Sequence, residues 1–344
     1  SLATFVDKDG LIKYSGVTNT ELVTNGDFAT DSDWTKYYAG DNNSVTIANG
    51  VLSFNSNTNQ NVQQTIGSSN LSGFYKITYT ITSYTRGNAH FLLGGGSNIY
   101  LGFETGTYTK YVQGGGSTNN FAIYGGIYGQ GGELSIDNVS VKEIQTDVPR
   151  IDFTNDTKGH LLLEPQRTNL FTQSETFSNW SNSQSTETIN SGISPDGSNT
   201  ATKVKPTTSS SAWSGLNSQT VFITSGENYT FSVFAKKDEY SYVQVGGSTP
   251  RFNGSFSTID LSNGTVVYES GINADVESYG NGWYKISFTQ TAVSSGSGLA
   301  GFIAVYNYPP NSRLQSFGGD GTSGILVWGA QLEAGSYLTS YIPT

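Results

Sequence analysis

The sequence predicts an all-β fold with two tandem antiparallel β-sandwich modules of the jelly-roll type, and two observations support this. Ser, Thr, Asn, Gln and 42 glycines supply the polarity of this 344-residue chain, whereas charged residues make up only 13%, about half the ~25% usual in a soluble domain. Thr and Tyr favour pleated strands, and Gly and Asn tolerate tight turns. Apolar residues also alternate with polar ones between regularly spaced turn clusters, which is typical of sandwiches.

Two stretches of the chain begin and end alike, which predicts two units of one architecture. Each begins with a polar-flanked aromatic pair and ends with a strand-like run. The two sets are Phe28 and Trp34 with residues 134–141, and Phe177 and Trp180 with residues 325–333. A β-sandwich often pairs its first and last strands, so we expect each set to mark one module.

The chain divides into four predicted segments. They are an N-terminal hairpin leader at 1–20, a first module at 21–144, an extended junction at 145–167 and a second module at 168–344. In the leader, Asp9-Gly10 separates the strand-like residues Ala3–Val6 from the next strand, and such a short hairpin must pack on a neighbour. We expect the three leucines of the junction, residues 161–163, to pack into one of the modules or across the junction between them.

Individual strands follow from period-two alternation. Residues 45–47 and 51–54 flank the turn pair Asn49-Gly50, and residues 75–81 alternate clearly. In the second module residues 229–235 and 283–288 alternate in the same way. We predict a strand at each of these positions.

Charge and composition exclude several functions. The formal net charge is -10, and the 17 basic residues are scattered, so neither nucleic acid nor an anionic membrane surface is an expected partner. No apolar run approaches the ~18 residues of a membrane span. The chain has no cysteine, begins at Ser1 without Met and shows no signal peptide. We expect a mature or excised fragment of a longer polypeptide.

Several strings resemble a module of phage virion proteins. They are Asp9-Gly10-Leu11-Ile12, Val148-Pro149-Arg150-Ile151-Asp152, Leu161-Leu162-Leu163-Glu164-Pro165-Gln166-Arg167-Thr168-Asn169-Leu170, Trp328-Gly329-Ala330-Gln331-Leu332-Glu333-Ala334-Gly335-Ser336-Tyr337 and Thr339-Ser340-Tyr341-Ile342-Pro343-Thr344. The relatives are tail fibres, receptor-binding proteins and similar surface appendages with a carbohydrate-binding jelly roll. The resemblance covers the leader, the junction and the second module. It implies a location on the virion surface or outside the cell, with host-surface glycans and other virion subunits as partners, and a homo-oligomer.

Residues 21–144 resemble an insertion into that pattern, similar to carbohydrate-binding modules of the galactose-binding-like type. In such modules an acidic residue after the first Phe and an Asp near the last strand often hold a structural calcium ion. Here Ala29 follows Phe28, while Asp137 is in place. The resemblance therefore implies Ca²⁺ at Asp27 and Asp137, with Asp31 or Asp33 as substitute ligands. The alternative is that Asp137 only caps a strand end.

Catalysis has little support in the sequence. The two histidines, His90 and His160, are far apart and in different segments, which does not fit a catalytic triad or a paired-histidine metal site. We expect a structural role for His90 and an exposed position for His160. No feature selects a pair of carboxylates for glycoside hydrolysis, so we expect a protein without enzymatic activity.

Aromatic residues in polar surroundings are the candidates for sugar binding, because their rings stack on the apolar faces of sugars. The candidates are Trp213, Tyr242, Tyr306 and Tyr308 in the second module and Tyr100 and Tyr124 in the first. For each of them the alternative is a core position. Tyr100 and Tyr124 belong to a glycine-rich run at 94–132 that also contains Tyr108, Tyr111 and Tyr128. Two interpretations of this run remain open. It forms short strands with glycine turns, or it forms a Tyr/Gly surface that contacts a neighbouring subunit.

The sequence thus predicts a non-catalytic virion appendage protein that binds host-surface glycans. Two other functions remain open. One is a purely structural fibre or capsid decoration protein that assembles through its sandwich faces. The other is a depolymerase domain that cleaves the polysaccharide it binds.

Overall fold

The computed structural model describes residues 4–37, 44–55, 57–58, 60–67, 69–127, 130–145, 149–154, 157–177 and 180–344. Ala3, Tyr128 and Val148, which the sequence analysis places in a strand, in the glycine-rich run and in a motif, lie outside these residues.

The secondary structure consists of strands, numbered here in chain order. The first fourteen are β1 (Thr4–Val6), β2 (Ile12–Tyr14), β3 (Thr35–Tyr37), β4 (Ser44–Ala48), β5 (Val51–Asn55), β6 (Asn61–Thr65), β7 (Phe74–Arg86), β8 (His90–Leu93), β9 (Ile99–Tyr100), β10 (Gly106–Gln113), β11 (Asn120–Tyr124), β12 (Glu133–Ile144), β13 (Ile151–Asp152) and β14 (His160–Leu161). The others are β15 (Ser181–Ser183), β16 (Ser185–Thr188), β17 (Thr202–Pro206), β18 (Gly215–Asn217), β19 (Thr220–Ile223), β20 (Asn228–Lys237), β21 (Tyr242–Gly247), β22 (Phe256–Asp260), β23 (Thr265–Ser270), β24 (Asp275–Ser278), β25 (Trp283–Thr291), β26 (Gly296–Leu299), β27 (Gly301–Tyr306) and β28 (Ile325–Ala334).

The chain forms two compact units. Residues 15–148 form the inserted unit, and residues 1–14 together with 149–344 form the main unit. All strand pairs in both units are antiparallel in the part of the chain that the structure describes. The predicted all-β class with two antiparallel sandwiches is confirmed. Within the described ranges, no helix is long and apolar enough to cross a membrane.

The inserted unit is a sandwich of two five-stranded sheets. Their strand orders are β10-β7-β12-β5-β4 and β3-β6-β11-β8-β9. Strand β7 shows how the alternation of apolar and polar residues forms the sandwich core. Its residues Tyr75, Ile77, Tyr79 and Ile81 are buried, while the residues between them remain partly exposed. Every second side chain along a strand therefore points into the core, and the side chains between them lie on the outward face.

The predicted hairpin around Asn49 and Gly50 is confirmed. Ala48 and Val51 pair directly, so the two residues between them form the whole turn. Their φ angles are 55° and 74°, as a two-residue turn that matches strand twist requires.

The two ends of the inserted unit lie side by side. Val17 and Ile144 form an isolated antiparallel bridge. The Gln145 amide donates to the Gly16 carbonyl oxygen at 2.8 Å. The unit therefore begins and ends at one place on its surface.

The main unit is a sandwich of two six-stranded sheets. Their strand orders are β15-β18-β27-β21-β22-β23 and β16-β17-β28-β20-β25-β24. We call them the loop-covered sheet and the tail-covered sheet, after the segments that lie on their outward faces. Between the two sheets lies a single apolar core, in which Phe171, Phe231, Val245 and Ile303 are almost wholly buried. The predicted strands at 229–235 and 283–288 lie within β20 and β25.

The leader, the junction and the C-terminal tail pack within the main unit. The Ile12 amide donates to the Pro195 carbonyl oxygen at 3.1 Å. The Asp152 carboxylate accepts from the Val6 amide at 2.8 Å, and Thr4 Oγ1 donates to the tail at 2.6 Å. The leader hairpin thus depends on this neighbour for its stability, as its short strands predict.

The expected burial of residues 161–163 is wrong for two of the three leucines. The Leu163 side chain is 82% exposed, and Leu161 is 52% exposed. Leu161 pairs with Ile151 in a two-stranded sheet, and the Ile151 side chain is exposed too. The junction therefore presents an apolar ridge to solvent.

Glu187 on β16 gives the main unit a pH-dependent stability. Burial raises its pKa to about 7, although a hydrogen bond from Asn182 opposes the shift. Because the pKa in the folded state exceeds the ordinary 4.5, the contribution of Glu187 to stability is complete below pH 4.5 and is lost as the pH rises through about 7. We therefore expect Glu187→Gln to raise the free energy of unfolding by about 1 kcal/mol near pH 8, after allowance for solvent screening, and by little near pH 5.

Urea denaturation at the two pH values measures this difference. Glu227→Gln, which removes an exposed carboxylate, is the control and should show no such pH dependence. Equal effects of Glu187→Gln at both pH values would contradict the assignment.

Candidate functional site

One outward face of the inserted unit presents aromatic side chains in a single row. The row crosses the sheet β3-β6-β11-β8-β9 and takes one residue from each strand. Each residue of the row pairs directly with the row residue on the neighbouring strand. Its members, in strand order, are Tyr37, Asn61, Tyr124, His90 and Tyr100. Directly paired residues in antiparallel strands lie on the same face of a sheet. We call this set the aromatic row.

The alternation along each strand shows that the aromatic row faces away from the core. Val62 and Phe91 directly follow row residues in the chain, Ile123 directly precedes Tyr124, and all three are completely buried in the core of the unit. Tyr37 and Tyr100, at the two ends of the row, are each 46% exposed. Adjacent strands lie about 4.8 Å apart, so five strands give a row roughly 19 Å long.

His90 lies between two tyrosine rings. Its imidazole stacks on Tyr124 with ring centroids 4.7 Å apart and an interplanar angle of 7°. Tyr100 lies on its other side at 5.9 Å and 53°. These neighbours leave His90 only 3% exposed. Burial lowers its pKa, with an opposing contribution from the Asn88 carbonyl oxygen, 3.3 Å from Nδ1. The imidazole is therefore neutral at neutral pH.

Polar groups lie among the rings. Within the described residues, the buried Oδ1 atom of Asn61 has no hydrogen-bond donor. The neighbouring Gln63 side chain donates to the Tyr37 hydroxyl at 2.9 Å. A buried amide oxygen without a donor costs stability. The surface thus combines flat apolar rings with amide groups.

The candidates Tyr100 and Tyr124 lie in this row, one on each side of His90. The sequence predicts a structural role for His90, and no pattern in it distinguishes Tyr37 or Asn61 as binding residues. Alternation alone marks these residues as outward-facing, but only the register of five strands aligns them.

The candidates of the second module occupy a different environment. The Tyr306 side chain is completely buried, and its hydroxyl donates to the Gln315 carbonyl oxygen at 3.0 Å. Burial raises its pKa above the ordinary value. The expectation that Tyr306 binds sugar is wrong, because no face of its ring is accessible. Tyr242 pairs with it across the sheet and is half-buried against the core.

Tyr308 and Trp213 pack against the same region. Tyr308 retains 37% exposure and contacts Tyr306 and Phe317, with centroids 5.8 and 5.7 Å away. Trp213 is half-buried against Phe302 at 5.9 Å. The indole therefore fills the edge of the core, which is the alternative stated above for each sugar-binding candidate.

The outward face of the loop-covered sheet is occupied by the chain itself. The buried Gln244 side chain donates to the Ser312 carbonyl oxygen at 3.1 Å and accepts from the Leu314 amide at 2.7 Å. Arg313 lies over the Phe302 ring at 4.9 Å. The loop 307–319 thus covers this face. A polar residue between two valines on β21, Gln244, is the one feature of the sequence that could have indicated a covered sheet face.

Within the described residues, no three His, Cys, Asp or Glu side chains lie close enough together to hold a metal ion. These residues therefore form no ready set of ligands for the expected calcium ion. The Asp137 carboxylate accepts from the backbone and side chain of Asn138 at 2.6 and 3.0 Å. Asp27 Oδ1 is 3.4 Å from the Ala29 amide. Asp31 forms an ion pair with Lys36, and Asp33 accepts from Ser32. Calcium at Asp27 and Asp137 stays a prediction.

Comparisons with known proteins add little to this picture. No protein-family model and no curated protein matched the sequence. Among solved structures, the chain is similar to the N-terminal CBM22-1–CBM22-2 tandem domain of Paenibacillus barcinonensis Xyn10C. The identity is 11%, the TM-score is 0.29, and the match covers 93% of this chain and 98% of that chain. A similarity at this level carries no argument about function.

The environment of Trp213 leads to a stability prediction. Trp213→Ala removes the indole that packs on Phe302, so we expect the free energy of unfolding to fall by about 2 kcal/mol. Urea denaturation measures the loss. The control is Tyr268→Ala on the same sheet, which removes an exposed ring and should change stability little. Unchanged stability of Trp213→Ala would show that the indole does not belong to the core.

Proposed function

We propose that the protein binds glycans without catalysis and that the aromatic row is its binding surface. The observation that carries the proposal is the register that aligns three tyrosines and His90 on one outward face. The C–H faces of sugar rings pack on aromatic rings, while amides hydrogen-bond to sugar hydroxyls. The row offers both kinds of contact.

The geometry of the row favours an extended oligosaccharide. The two exposed rings, Tyr37 and Tyr100, lie at opposite ends, and a row about 19 Å long can accommodate several sugar units. Asn61 lies between Tyr37 and Tyr124 in the row, and the half-buried Gln63 amide beside Tyr37 adds a polar group for hydroxyls of the bound chain. The residues that we assign to binding are therefore the five of the row, including the sequence candidates Tyr100 and Tyr124.

The biological setting in this proposal is a virion appendage that recognises polysaccharides on a bacterial host. It is supported by the resemblance of the leader, junction and tail strings to phage virion proteins. Contact with other virion subunits, including further copies of this chain, is part of the same proposal. The exposed ridge of Ile151, Leu161 and Leu163 supports this part, because exposed apolar patches often mark protein interfaces.

Loss of a row tyrosine should weaken binding without unfolding the protein. We expect Tyr100→Ala and Tyr124→Ala each to raise Kd for a bound polysaccharide by about tenfold, which corresponds to the ~1.4 kcal/mol of one lost stacking contact. The matched control is Tyr111→Ala, on the outward face of the opposite sheet of the same unit. Its Kd should not change.

Isothermal titration of the full chain with purified capsular and O-antigen polysaccharides measures these constants. Parallel titrations with calcium and with a chelator test the predicted role of Asp27 and Asp137. Equal weakening by Tyr111→Ala, or no binding by the wild-type protein to any polysaccharide, would contradict the proposal.

Binding should also depend on pH in a specified direction. Because the pKa of His90 is lowered from 6.5, the neutral imidazole persists above pH 6.5, and its contribution is lost only as the pH falls through the lower value. We expect affinity to stay constant between about pH 8 and 6.5 and to decrease at more acidic pH. A His90→Phe variant that still binds should lose this dependence. A decrease already complete at pH 6.5 would show that another group is responsible.

A further inference from the structure

The tail-covered sheet of the main unit contains a groove on its outward face. Two cavities, of about 700 and 370 Å³, share Asp275, Ser287 and Leu338 as lining residues, so they form one continuous depression. Strands β24 and β25 form the floor, and the C-terminal tail lies along one side. The groove lies entirely within the main unit and is separate from the aromatic row.

Lys285 on β25 lies in the smaller cavity and is 7% exposed. Its Nζ atom is 5.7 Å from the ring centroids of both Phe234 and Tyr279. Within the part of the chain that the structure describes, this amine forms no ion pair and no hydrogen bond. Burial lowers its pKa, and nearby carboxylates, Glu277 first among them, oppose that shift. Burial of a charged amine is costly. Glu277 lies directly opposite Lys285 in the ladder between β24 and β25, and the smaller cavity is the side from which a ligand can reach the amine.

Two of the carboxylates around the groove already have structural partners. Asp152 accepts from the Val6 and Thr154 amides, both at 2.8 Å. Glu164 accepts from Arg150 at 3.0 Å and from the Ser340 amide at 2.7 Å. These two groups fix the leader and the tail in place, and they have little capacity left for a ligand.

Asp275 differs from these carboxylates. It lies opposite Ser287 in the ladder between β24 and β25, and both residues line the two cavities. Asp275 is exposed, and Ser287 is half-buried. Neither side chain forms a hydrogen bond within the described residues. Lys285 lies two positions before Ser287 on the same strand. The Lys285 amine, the Ser287 hydroxyl and the Asp275 carboxylate therefore follow one another along the groove.

This combination restricts the chemistry of a ligand. An anionic ligand that spans the groove from Lys285 to Asp275 would be repelled by Asp275, and a cationic ligand would be repelled by Lys285, so neither charge is favourable along the whole groove. Neutral hydroxyl groups satisfy both, because each can accept a hydrogen bond from the amine and donate one to a carboxylate. The half-buried ring of Tyr279 and the side chain of Leu338 supply apolar surface for C–H groups.

We propose that this groove is a second binding site, independent of the aromatic row, for a neutral polyhydroxylated chain such as an oligosaccharide. Lys285 donates to ligand oxygens inside the smaller cavity, and Asp275 accepts from ligand hydroxyls where the two cavities meet. Ser287 bonds to the ligand between them.

The test uses the full chain and three classes of oligosaccharide of equal length. The probes are neutral hexasaccharides of glucose, galactose, mannose or N-acetylglucosamine, the anionic hexasaccharide of galacturonic acid and the cationic hexasaccharide of glucosamine. Methyl NMR of Leu338 and Ile272, which line the groove, reports where each probe binds. We expect at least one neutral probe to shift these methyl signals saturably and neither charged probe to do so.

Variants connect the binding to the named side chains. Lys285→Met should raise Kd for the neutral probe by at least about tenfold, while the melting temperature stays the same or rises because the desolvation cost of a largely buried amine is gone. Asp275→Asn changes an exposed side chain, so the protein should stay folded, and Kd for the neutral probe should rise several-fold. Lys237→Met, at an exposed lysine on β20, is the matched control and should leave Kd unchanged.

The outcomes separate this proposal from that of the aromatic row. Tyr100→Ala should leave the Leu338 shifts intact, and Lys285→Met should leave polysaccharide binding at the row intact. The proposal is wrong if no neutral probe shifts Leu338 and Ile272. It is also wrong if galacturonate binds as well as the neutral sugars, or if both Lys285→Met and Asp275→Asn bind like the wild type.

Discussion

The side-chain amide of Asn169 joins three separate parts of the main unit. Its Nδ2 donates to the carbonyl oxygens of Ala330 and Ile342 at 3.1 and 2.9 Å. Its Oδ1 accepts from the Phe171 and Leu332 amides at 3.1 and 3.0 Å. One buried amide therefore connects the start of the second sandwich, strand β28 and the C-terminal tail. Any shorter or apolar side chain here would leave four buried backbone groups without their partner.

Polar residues of strand β28 have a structural role in this arrangement. Gln331 and Glu333 lie completely buried on β28, and the tail satisfies them. Gln331 accepts from the Ile342 amide at 2.6 Å, and Glu333 accepts from the Thr339 amide at 3.0 Å. These polar residues specify one path for the tail over the sheet.

Much of the fold follows from the sequence, because alternation and turn residues act locally. Residues 75–81 and the Asn49-Gly50 turn lie where local rules place them. The site depends on strand register, which is a property of distant segments. Tyr37 and Tyr100 are separated by many residues in the chain and still lie at the two ends of one row. Tyr306 was misassigned for a related reason, since a loop that follows it in sequence folds back over its sheet and buries it.

The adjacent ends of the inserted unit have an evolutionary consequence. Because the chain enters and leaves that unit through the paired residues Val17 and Ile144, a whole sandwich can be exchanged at this position without altering the strand order of the main unit. Under the proposed function, replacement of this sandwich by a different one in a single recombination event would change the polysaccharide that the protein recognises. The framework built by Asn169, Gln331 and Glu333 would be inherited unchanged.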